Sequence, residues 1–414
     1  MSESFLLVTV LLGTLLAYSL VAGRLKGGIL TPPMIFLMVG LAVSPLALGV
    51  LHFNENRELI IIYAELSLSI ALFSDAASVN FKAVRRNRLP VRLLLIGLPL
   101  SIFLGLVLAL ATFTGLSFGE AGLIGAILAP TDAALGQAIL HDEHVPERIR
   151  EALDVESGLN DGGSIPFFAL FISLAQEQAG QISLGTWVVF SVEQIGFGIL
   201  VGALIGFIGA ALINRSIDNN WINQRRRPIA LIVLALLSFF MADMVGGSGF
   251  IAAYVAGLTV AAYRSRITEE LVEYAEVEGE ALSLGVFFIL GLVFVELVPN
   301  VTWTIVVYAL LSLTLVRMLP VWISLIGAKL RVRDKLFMGW FGPRGLASVV
   351  LVIIAIGGYE NIPGMLTVVT TGLLTVVLSV FAHGISAAPL VKRTYSSKHD
   401  RGRIGASDEG ETAK

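Results

Sequence analysis

Four oxygen-bearing side chains lie close together in an apolar stretch of the sequence, the segment DVESGLNDGGSIP that ends at Pro166. Glu156 and Asn160 are four residues apart, and so are Ser157 and Asp161, so a helix would carry them on two adjacent stripes. Ionisable groups cost several kcal/mol in lipid and therefore usually mark an ion or proton path. Because hard cations prefer oxygen ligands, this spacing predicts a cation or proton site near the middle of a membrane span.

Two structural explanations compete with an ion site. Glu156 could pair with an arginine for packing alone, and Asp161 could cap a helix that breaks before Gly162 and Gly163. Each explanation accounts for one residue, whereas a second apolar segment carries a similar polar cluster. We therefore favour a shared role for the whole set.

The composition is typical of a helical membrane protein with many spans. The 414 residues are 56% apolar and 14% charged, with a mean hydropathy of +0.85, whereas soluble domains carry about 25% charged residues. The absence of cysteine excludes disulfides, thiolate metal sites and cysteine nucleophiles, and the ATP-binding motif G-x-x-x-x-G-K-[ST] does not occur. We therefore expect a transporter and not an enzyme, without cofactor or nucleic-acid partner, driven by a gradient or by another subunit.

Apolar runs of about 20 residues, long enough to cross a bilayer, occur thirteen times in the sequence. Their approximate extents are 4–22, 29–50, 59–79, 90–114, 119–140, 152–176, 184–213, 228–245, 248–263, 272–297, 301–327, 336–357 and 363–390. The sequence thus predicts an all-α polytopic membrane protein with about 13 transmembrane helices. We expect this domain to occupy residues 1–394 and a disordered cytoplasmic tail to follow at 395–414, where the composition becomes polar.

Lysine and arginine are confined almost entirely to alternate loops. Of the 28 basic residues, 25 lie in those loops or in the tail, and the other three are Arg57 in an opposite loop and Arg317 and Arg344 within spans. Basic loops mark the cytoplasmic side of a membrane. The N-terminus is therefore predicted outside and the C-terminus inside, in the cytoplasmic membrane.

The fifth and twelfth predicted spans share an interruption. The fifth contains Pro130, Thr131 and Asp132, and the twelfth contains Pro343 and Arg344, so each has a proline and a mid-span charge of opposite sign. Secondary transporters often consist of inverted repeats with interrupted helices at the binding site, where unpaired carbonyls can line a cavity. We predict two inverted six-helix repeats around span seven, with broken crossing helices; the alternative is that proline only kinks these spans.

The arginines within spans need counter-charges, because a buried charge that loses its partner costs about 3–5 kcal/mol. Glu156 is the best candidate for Arg317 in span eleven, which leaves Asp161 and Asp132 for ions. Arg344 is expected to balance Asp132 across the two interruptions.

Together these residues resemble the monovalent cation:proton antiporters of the NhaP/NHE type, the CPA1 group, over nearly the whole membrane part. Each matching element is weak alone, and the ordered set is specific. The set consists of Thr131-Asp132, Glu156-Ser157, Asn160-Asp161, Arg317 and the Gly-Pro-Arg-Gly sequence around Arg344.

The resemblance implies that Asp161 binds the cation and the proton, and that Asp132, the Thr131 carbonyl and Ser157 help to form the ion site. It also implies that Asn160 supports span six beside Asp161. Glu156 and Arg317 resemble the family's structural ion pair.

Two positions differ from the family's usual pattern. Asp75 on span three matches an acidic position that is often glutamate; it would either line the entry path or only reach interfacial water, and the sequence favours neither. Ala133 stands where many members have proline after Thr-Asp, which bears on the shape of the break. The resemblance further implies a homodimer in the lipid membrane, with a core domain that moves against a dimerisation scaffold.

One carboxylate that holds either a proton or a cation is sufficient for exchange. Na+ (or Li+) is favoured as the cation and K+ is second, because ligand types do not separate them. Asn160 cannot titrate, so we expect electroneutral exchange of one proton per cation. Two rival functions are a cation channel, which would need a continuous polar pore, and a receptor or structural protein, which would not need paired broken helices.

Overall fold

A computed structural model describes residues 3–25, 30–52, 56–79, 81, 87–140, 142–180, 183–263, 269–359 and 361–395. Across these residues the chain is helical, and no β-strand occurs in them. The predicted tail at 395–414 lies outside the described residues beyond Tyr395.

Fifteen helices account for the described membrane part. Their bounds are α1 Glu3–Leu25, α2 Pro32–Val43, α3 Arg57–Ser78, α4 Leu89–Thr112, α5 Phe118–Ile127, α6 Ala133–Leu140, α7 Glu147–Gln178, α8 Leu184–Asp218, α9 Arg227–Met244, α10 Gly249–Ala262, α11 Glu269–Leu297, α12 Trp303–Ser324, α13 Val332–Trp340, α14 Leu346–Gly358 and α15 Met365–Tyr395.

The helices follow the thirteen predicted spans in order. Spans five and twelve each consist of two half-helices, α5–α6 and α13–α14, which confirms the predicted breaks. Among the described residues, eight helices are long and apolar enough on their own to cross a membrane. That number is below thirteen because two spans are divided, α2 and α10 are only 12 and 14 residues long, and α7 carries the polar cluster.

The helices pack as two bodies. The core contains α4–α7 and α12–α15, in which α5 packs on α4 and α7, and α15 packs on α6, α12 and α14. The scaffold contains α1–α3 and α8–α11, in which α10 packs on α3 and α8, and α11 packs on α2 and α3. The core presents α7 and α14 to scaffold helices α3, α8, α10 and α11. α7 therefore lies next to the boundary between the two bodies.

A shared irregularity supports the inverted repeat. α4 and α12 occupy corresponding places in the two halves, and each contains a π-helical turn, at Leu93–Gly97 and at Ser312–Val316. Pro99 and Pro320 follow these turns. A proline clashes with the carbonyl four residues earlier, and in both helices that carbonyl belongs to the π turn, which accommodates it. In α12 this irregular turn ends directly before Arg317 and sets the direction in which it leaves the helix.

Candidate functional site

α7 carries the polar cluster as one unbroken helix. It runs from Glu147 through Gly162 and Gly163 to Gln178, so the alternative that Asp161 caps a break at these glycines is wrong. Neighbouring helices support glycine within a membrane helix. The four polar side chains of the cluster, Glu156, Ser157, Asn160 and Asp161, are all buried.

Glu156 and Arg317 form a buried, two-pronged ion pair between α7 and α12. The Arg317 Nη1 atom lies 2.6 Å from Glu156 Oε1, and Nη2 donates to Oε2 at 3.1 Å. Asn160 Nδ2 also donates to Glu156 Oε1, at 3.2 Å. The Arg317 guanidinium packs directly on Gly342, where any side chain would overlap it. The predicted contact is thus present, and its close packing on the second break explains why a glycine precedes Pro343.

The first break lies between α5 and α6. The last carbonyls of a helix have no partner within it, and here the second half of the core supplies donors. Ser348 Oγ donates to Ile127 O at 2.6 Å, and Arg344 Nη1 donates to Ala129 O at 2.8 Å and to Pro130 O at 3.2 Å. Arg344 is fully buried, with 0% of its surface exposed.

The second break, between α13 and α14, receives partners from Asp132. Leu346 N donates to Asp132 Oδ2 at 2.8 Å, and Asp132 N donates to Pro343 O at 2.9 Å. The Asp132 side chain rests on Gly345, and a Cβ atom there would overlap the carboxylate. The predicted charge balance between Arg344 and Asp132 thus acts through main-chain groups. Arg344 binds carbonyls of the first break, which contains Asp132, and Asp132 binds an N–H of the second break, which contains Arg344.

Two residues that the sequence did not single out hold the second break from α15. Ser379 Oγ accepts a hydrogen bond from Arg344 N at 2.7 Å, and the buried His383 ring reaches both Ser379 and Trp340. Its Nε2 lies 2.9 Å from Trp340 O, the last carbonyl of α13, to which it donates in the tautomer that carries the proton on Nε2. A single histidine on an apolar helix carries no sequence signal for such a contact.

The Thr131 carbonyl, expected as an ion ligand, accepts a hydrogen bond from Ser157 Oγ at 2.5 Å. Both residues line a narrow cleft together with Asp132. The cleft continues along α6 to Leu140, so it opens toward the end of the molecule where α6 ends and α7 begins. We call this end the α6–α7 face.

Asp161 is buried one turn further along α7 than Ser157, which lines the cleft. Its Oδ1 atom has no hydrogen-bond partner among the described residues. Asp75 of α3 lies next to α7, because a Cβ atom at Gly158 would be 3.2 Å from the Asp75 Cβ. Asp75 thus sits at the boundary between core and scaffold, and it is half-buried. Tyr254 of α10, which the sequence did not indicate, packs on Gly162.

The structure does not bring Asp75, Asp132 and Asp161 into one compact cluster. Within the described part of the chain, no three acidic or histidine side chains converge as a ready-made metal site. It assembles one carboxylate with an unpartnered oxygen and, on the neighbouring break, four carbonyls that accept hydrogen bonds from the core: those of Ile127, Ala129, Pro130 and Thr131. Such a site can hold a monovalent cation or a proton weakly enough to release it.

Comparisons with known proteins identify a matching family and several relatives. The family model described as "Sodium/hydrogen exchanger, transmembrane" matches residues 7–393. The K+/H+ antiporter NhaP2 of Shewanella sp. (strain ANA-3) is 26% identical over 400 residues, covering 94% of this chain and 67% of that protein. The Na+/H+ antiporter ApNhaP of Aphanothece halophytica is 26% identical over 339 residues, covering 77% of this chain and 62% of that protein. The chain thus spans about two thirds of the length of these relatives.

A solved structure shares the fold. The sodium proton antiporter MjNhaP1 from Methanocaldococcus jannaschii matches with a TM-score of 0.77 and 20% sequence identity, over 95% of this chain and 100% of that one. At this identity the likeness concerns the fold alone, a polytopic helical membrane protein with the two bodies described above.

Proposed function

The chain belongs to the sodium/hydrogen exchanger family, and on that premise we propose that it exchanges Na+ (or Li+) for H+ across the cytoplasmic membrane. The observation that carries this proposal is the buried Asp161, whose Oδ1 has no partner among the described residues. A cation or a proton can each neutralise this carboxylate, and the two exclude each other. Moving the empty, charged site through the membrane is penalised, so only the loaded forms cross and exchange follows.

We assign the cation to the oxygens that surround the cleft. Asp161 and Asp132 supply carboxylates, and Ser157 and the Thr131 carbonyl line the path to them. Because Ser157 donates to the Thr131 carbonyl, a cation that uses this carbonyl must compete with the Ser157 hydroxyl. Asp75 approaches from the scaffold and acts electrostatically on Asp161.

The stoichiometry is one proton per cation. Asn160 is an amide, and its Nδ2 is engaged with Glu156. Glu156 is paired with Arg317, and Asp132 accepts the Leu346 N–H at the positive end of α14. One exchangeable proton site remains, so each cycle moves no net charge.

K+ is the alternative cation. The named relatives include a K+/H+ antiporter and an Na+/H+ antiporter at the same identity, 26%. Cavity size and ligand number decide between these ions, and both depend on how Asp161 and Asp132 close around the cation.

Uptake into inside-out vesicles tests the function. Addition of Na+ should dissipate an imposed pH gradient in a saturable way, and the same assay with Li+ and K+ ranks the cations. Asp161→Asn keeps the shape of the side chain and removes its charge, so this variant should be folded and inactive. An Asp161→Asn protein that exchanges at the normal rate would overturn the site, and a unitary conductance in planar bilayers would support a channel instead.

The scaffold offers the surface for a homodimer. α1 is the least buried of the long apolar helices, and Phe5, Leu16 and Leu20 on it are 70%, 63% and 77% exposed. We propose that this surface meets lipid and a second copy of the chain. We also place the N-terminus outside and the α6–α7 face in the cytoplasm, following the basic loops.

A further inference from the structure

Arg57 is the basic residue that the sequence places on the side opposite the basic loops. In the structure it lies half-buried in the first turn of α3. Its Nη2 atom donates to Ile356 O at 2.5 Å and to Gly357 O at 3.1 Å. These carbonyls belong to the last turn of α14, where a helix leaves them without partners of its own and carries its negative end. Arg57 therefore joins scaffold helix α3 to core helix α14.

A second contact lies beside Arg57 on the same pair of helices. Ile61, one turn further along α3, packs on Gly357, where a Cβ atom would be 2.5 Å from the Ile61 Cδ1 atom. Because residues four apart lie on one face of a helix, Arg57 and Ile61 both face α14. We call the contact of these two side chains with the end of α14 the outer contact.

The outer contact lies at the end of the molecule away from the α6–α7 face. Gly364 N, in the loop that follows α14, donates to Glu120 Oε1 at 2.7 Å. The neighbouring Gly119 N donates to Gln178 Oε1 at 2.8 Å, and Gln178 is the last residue of α7. The 32 residues of α7 separate this end from the α6–α7 face by about 48 Å. The cleft thus opens at one end, while core and scaffold are joined at the other.

Exchange requires a site that opens to each side of the membrane in turn, and the cleft described above opens to the α6–α7 face. Opening the boundary between core and scaffold at the other end requires the outer contact to separate. We propose that Arg57 is a positioning residue of exchange, which holds the outer contact closed while the cleft is open and releases α14 when the site opens to the opposite side. This inference rests on the proposed exchange function.

The chemistry of the outer contact suits a reversible closure. Arg57 is half-buried and binds main-chain carbonyls, so water can replace these hydrogen bonds when the helices separate. A fully buried ion pair such as Glu156 with Arg317 would cost more to separate, because each charge would lose its compensation. That pair lies within the core, whereas Arg57 lies on the boundary that has to open.

The apparent cation affinity measured from each face of the membrane tests the role of Arg57. Arg57→Gln weakens the outer contact, so the state that opens to the opposite side becomes more populated. The apparent affinity for a ligand falls with the fraction of protein that is competent to bind it. The half-saturating Na+ concentration should rise on the α6–α7 face relative to the opposite face, and the ratio of the two should change by about fivefold. Inside-out and right-side-out vesicles present the two faces.

Arg57→Lys and Arg92→Gln are the matched controls. Lysine keeps a charged donor at the outer contact, so the ratio in Arg57→Lys should lie closer to that of the wild type. Arg92 of α4 donates to Ile326 O just beyond the end of α12, so it also satisfies a helix end, but within the core. Whatever its melting temperature, Arg92→Gln should leave the ratio between the two faces unchanged.

A reversible cross-link tests the outer contact without relying on the folding of Arg57→Gln. The chain has no cysteine, so Ile61→Cys with Gly357→Cys introduces a single disulfide, which would join core and scaffold. Oxidation should stop exchange, and reduction should restore it. Val352→Cys with Gly372→Cys is the control, because a Cβ atom at Gly372 would be 2.7 Å from Val352 Cγ2 and both residues belong to the core, on α14 and α15. Oxidation of this pair should leave exchange unchanged.

The outcomes separate this inference from the proposed function. If Arg57→Gln lowers the melting temperature and leaves the ratio between the two faces unchanged, Arg57 only caps α14 and the inference is overturned. Exchange at the normal rate with the disulfide between positions 61 and 357 closed would also overturn it, because the outer contact would then remain in place throughout the cycle. If the wild type itself exchanges no cation for protons, it is the proposed function that fails.

Discussion

The two helix breaks have the same outline, but different partners hold them. At the first break, the carbonyls that end α5 are satisfied by Ser348 and Arg344, both from the second half of the core. At the second break, the carbonyl that ends α13 accepts the Gly342 N–H at 2.9 Å and also contacts His383 of α15. The first break is therefore held across the repeat, whereas this end of the second is held by groups of its own repeat.

This difference explains why the symmetric positions carry opposite charges. The C-terminus of a helix is negative and its N-terminus is positive. Arg344 meets the C-terminal carbonyls of α5, and Asp132 meets the N-terminal Leu346 N–H of α14. Each charge stabilises a helix end that belongs to the other break, so the two half-helix pairs lock together.

The same arrangement separates support from binding. Arg344 is fully enclosed, whereas Thr131 and Asp132 of the first break line the cleft that opens to the α6–α7 face. The second break thus holds the first in position, and the residues of the first break line the cleft. Variants at equivalent places in the two breaks should consequently have different effects.

Gly345→Ala should have the largest effect. The new Cβ atom would overlap the Asp132 carboxylate and push it away from Leu346 N, so we expect exchange to fall below about 1% of the wild type, since misplacing a reacting group by about 1 Å can cost 100-fold. Gly358→Ala, at the far end of α14, is the matched control because nothing lies within 4 Å of its Cβ position. Vesicle exchange rates measure both, and a fully active Gly345→Ala protein would contradict the described packing of the two breaks.

Arg344→Gln and Asp132→Asn test whether the breaks are coupled. Arg344→Gln removes the hydrogen bonds to the buried carbonyls of Ala129 and Pro130, so unfolding should become easier by about 1–3 kcal/mol for each carbonyl left without a donor. Adding Asp132→Asn should recover part of this loss, because neighbours that share one network are not additive. Thermal unfolding of the two single variants and the double variant measures the coupling. Additive changes would mean that the two breaks are held independently.

Much of this architecture is predictable from the sequence. Apolar length gives the thirteen segments, because a bilayer requires about 20 apolar residues of each span. The breaks are visible because proline, glycine and a charge coincide at mid-span. The contact of Glu156 with Arg317 follows from charge balance alone, since a buried arginine needs a carboxylate.

The remaining features depend on how helices cross, which the sequence does not encode locally. Arg344 donates to main-chain carbonyls of the first break. Because every residue has such a carbonyl, the sequence does not mark the ones that Arg344 contacts. His383 and Tyr254 are single polar groups on apolar helices, where a role in the core is the ordinary expectation. Local sequence suggests a break at Gly162, because it does not show the Tyr254 ring that packs on this glycine from a helix almost a hundred positions further along the chain.

Glu156→Gln should affect stability more than transport, in contrast to the variants at the breaks. It leaves Arg317 buried without a charged partner, although the amide still reaches the guanidinium. We expect a lower melting temperature with little change in the apparent cation affinity. Adding Arg317→Gln should restore part of the stability, and a strictly additive loss would mean that the observed contact of 2.6 Å contributes no net pairing energy.

The smallest effects should come from single donors at the two helix ends, Ser348 for α5 and His383 for α13. Ser348→Ala leaves the buried Ile127 O without the donor described for it, at a cost of about 1–3 kcal/mol, although the Arg344 contacts to Ala129 O and Pro130 O remain. Trp340 O also accepts the Gly342 N–H at 2.9 Å, so it keeps a donor when His383 is replaced. Ser348→Ala should therefore lower the melting temperature more than His383→Gln, which keeps a side chain of similar size. Thermal unfolding measures both variants. If His383→Gln proved the more damaging variant, the end of α13 would depend on His383 more than on the Gly342 N–H.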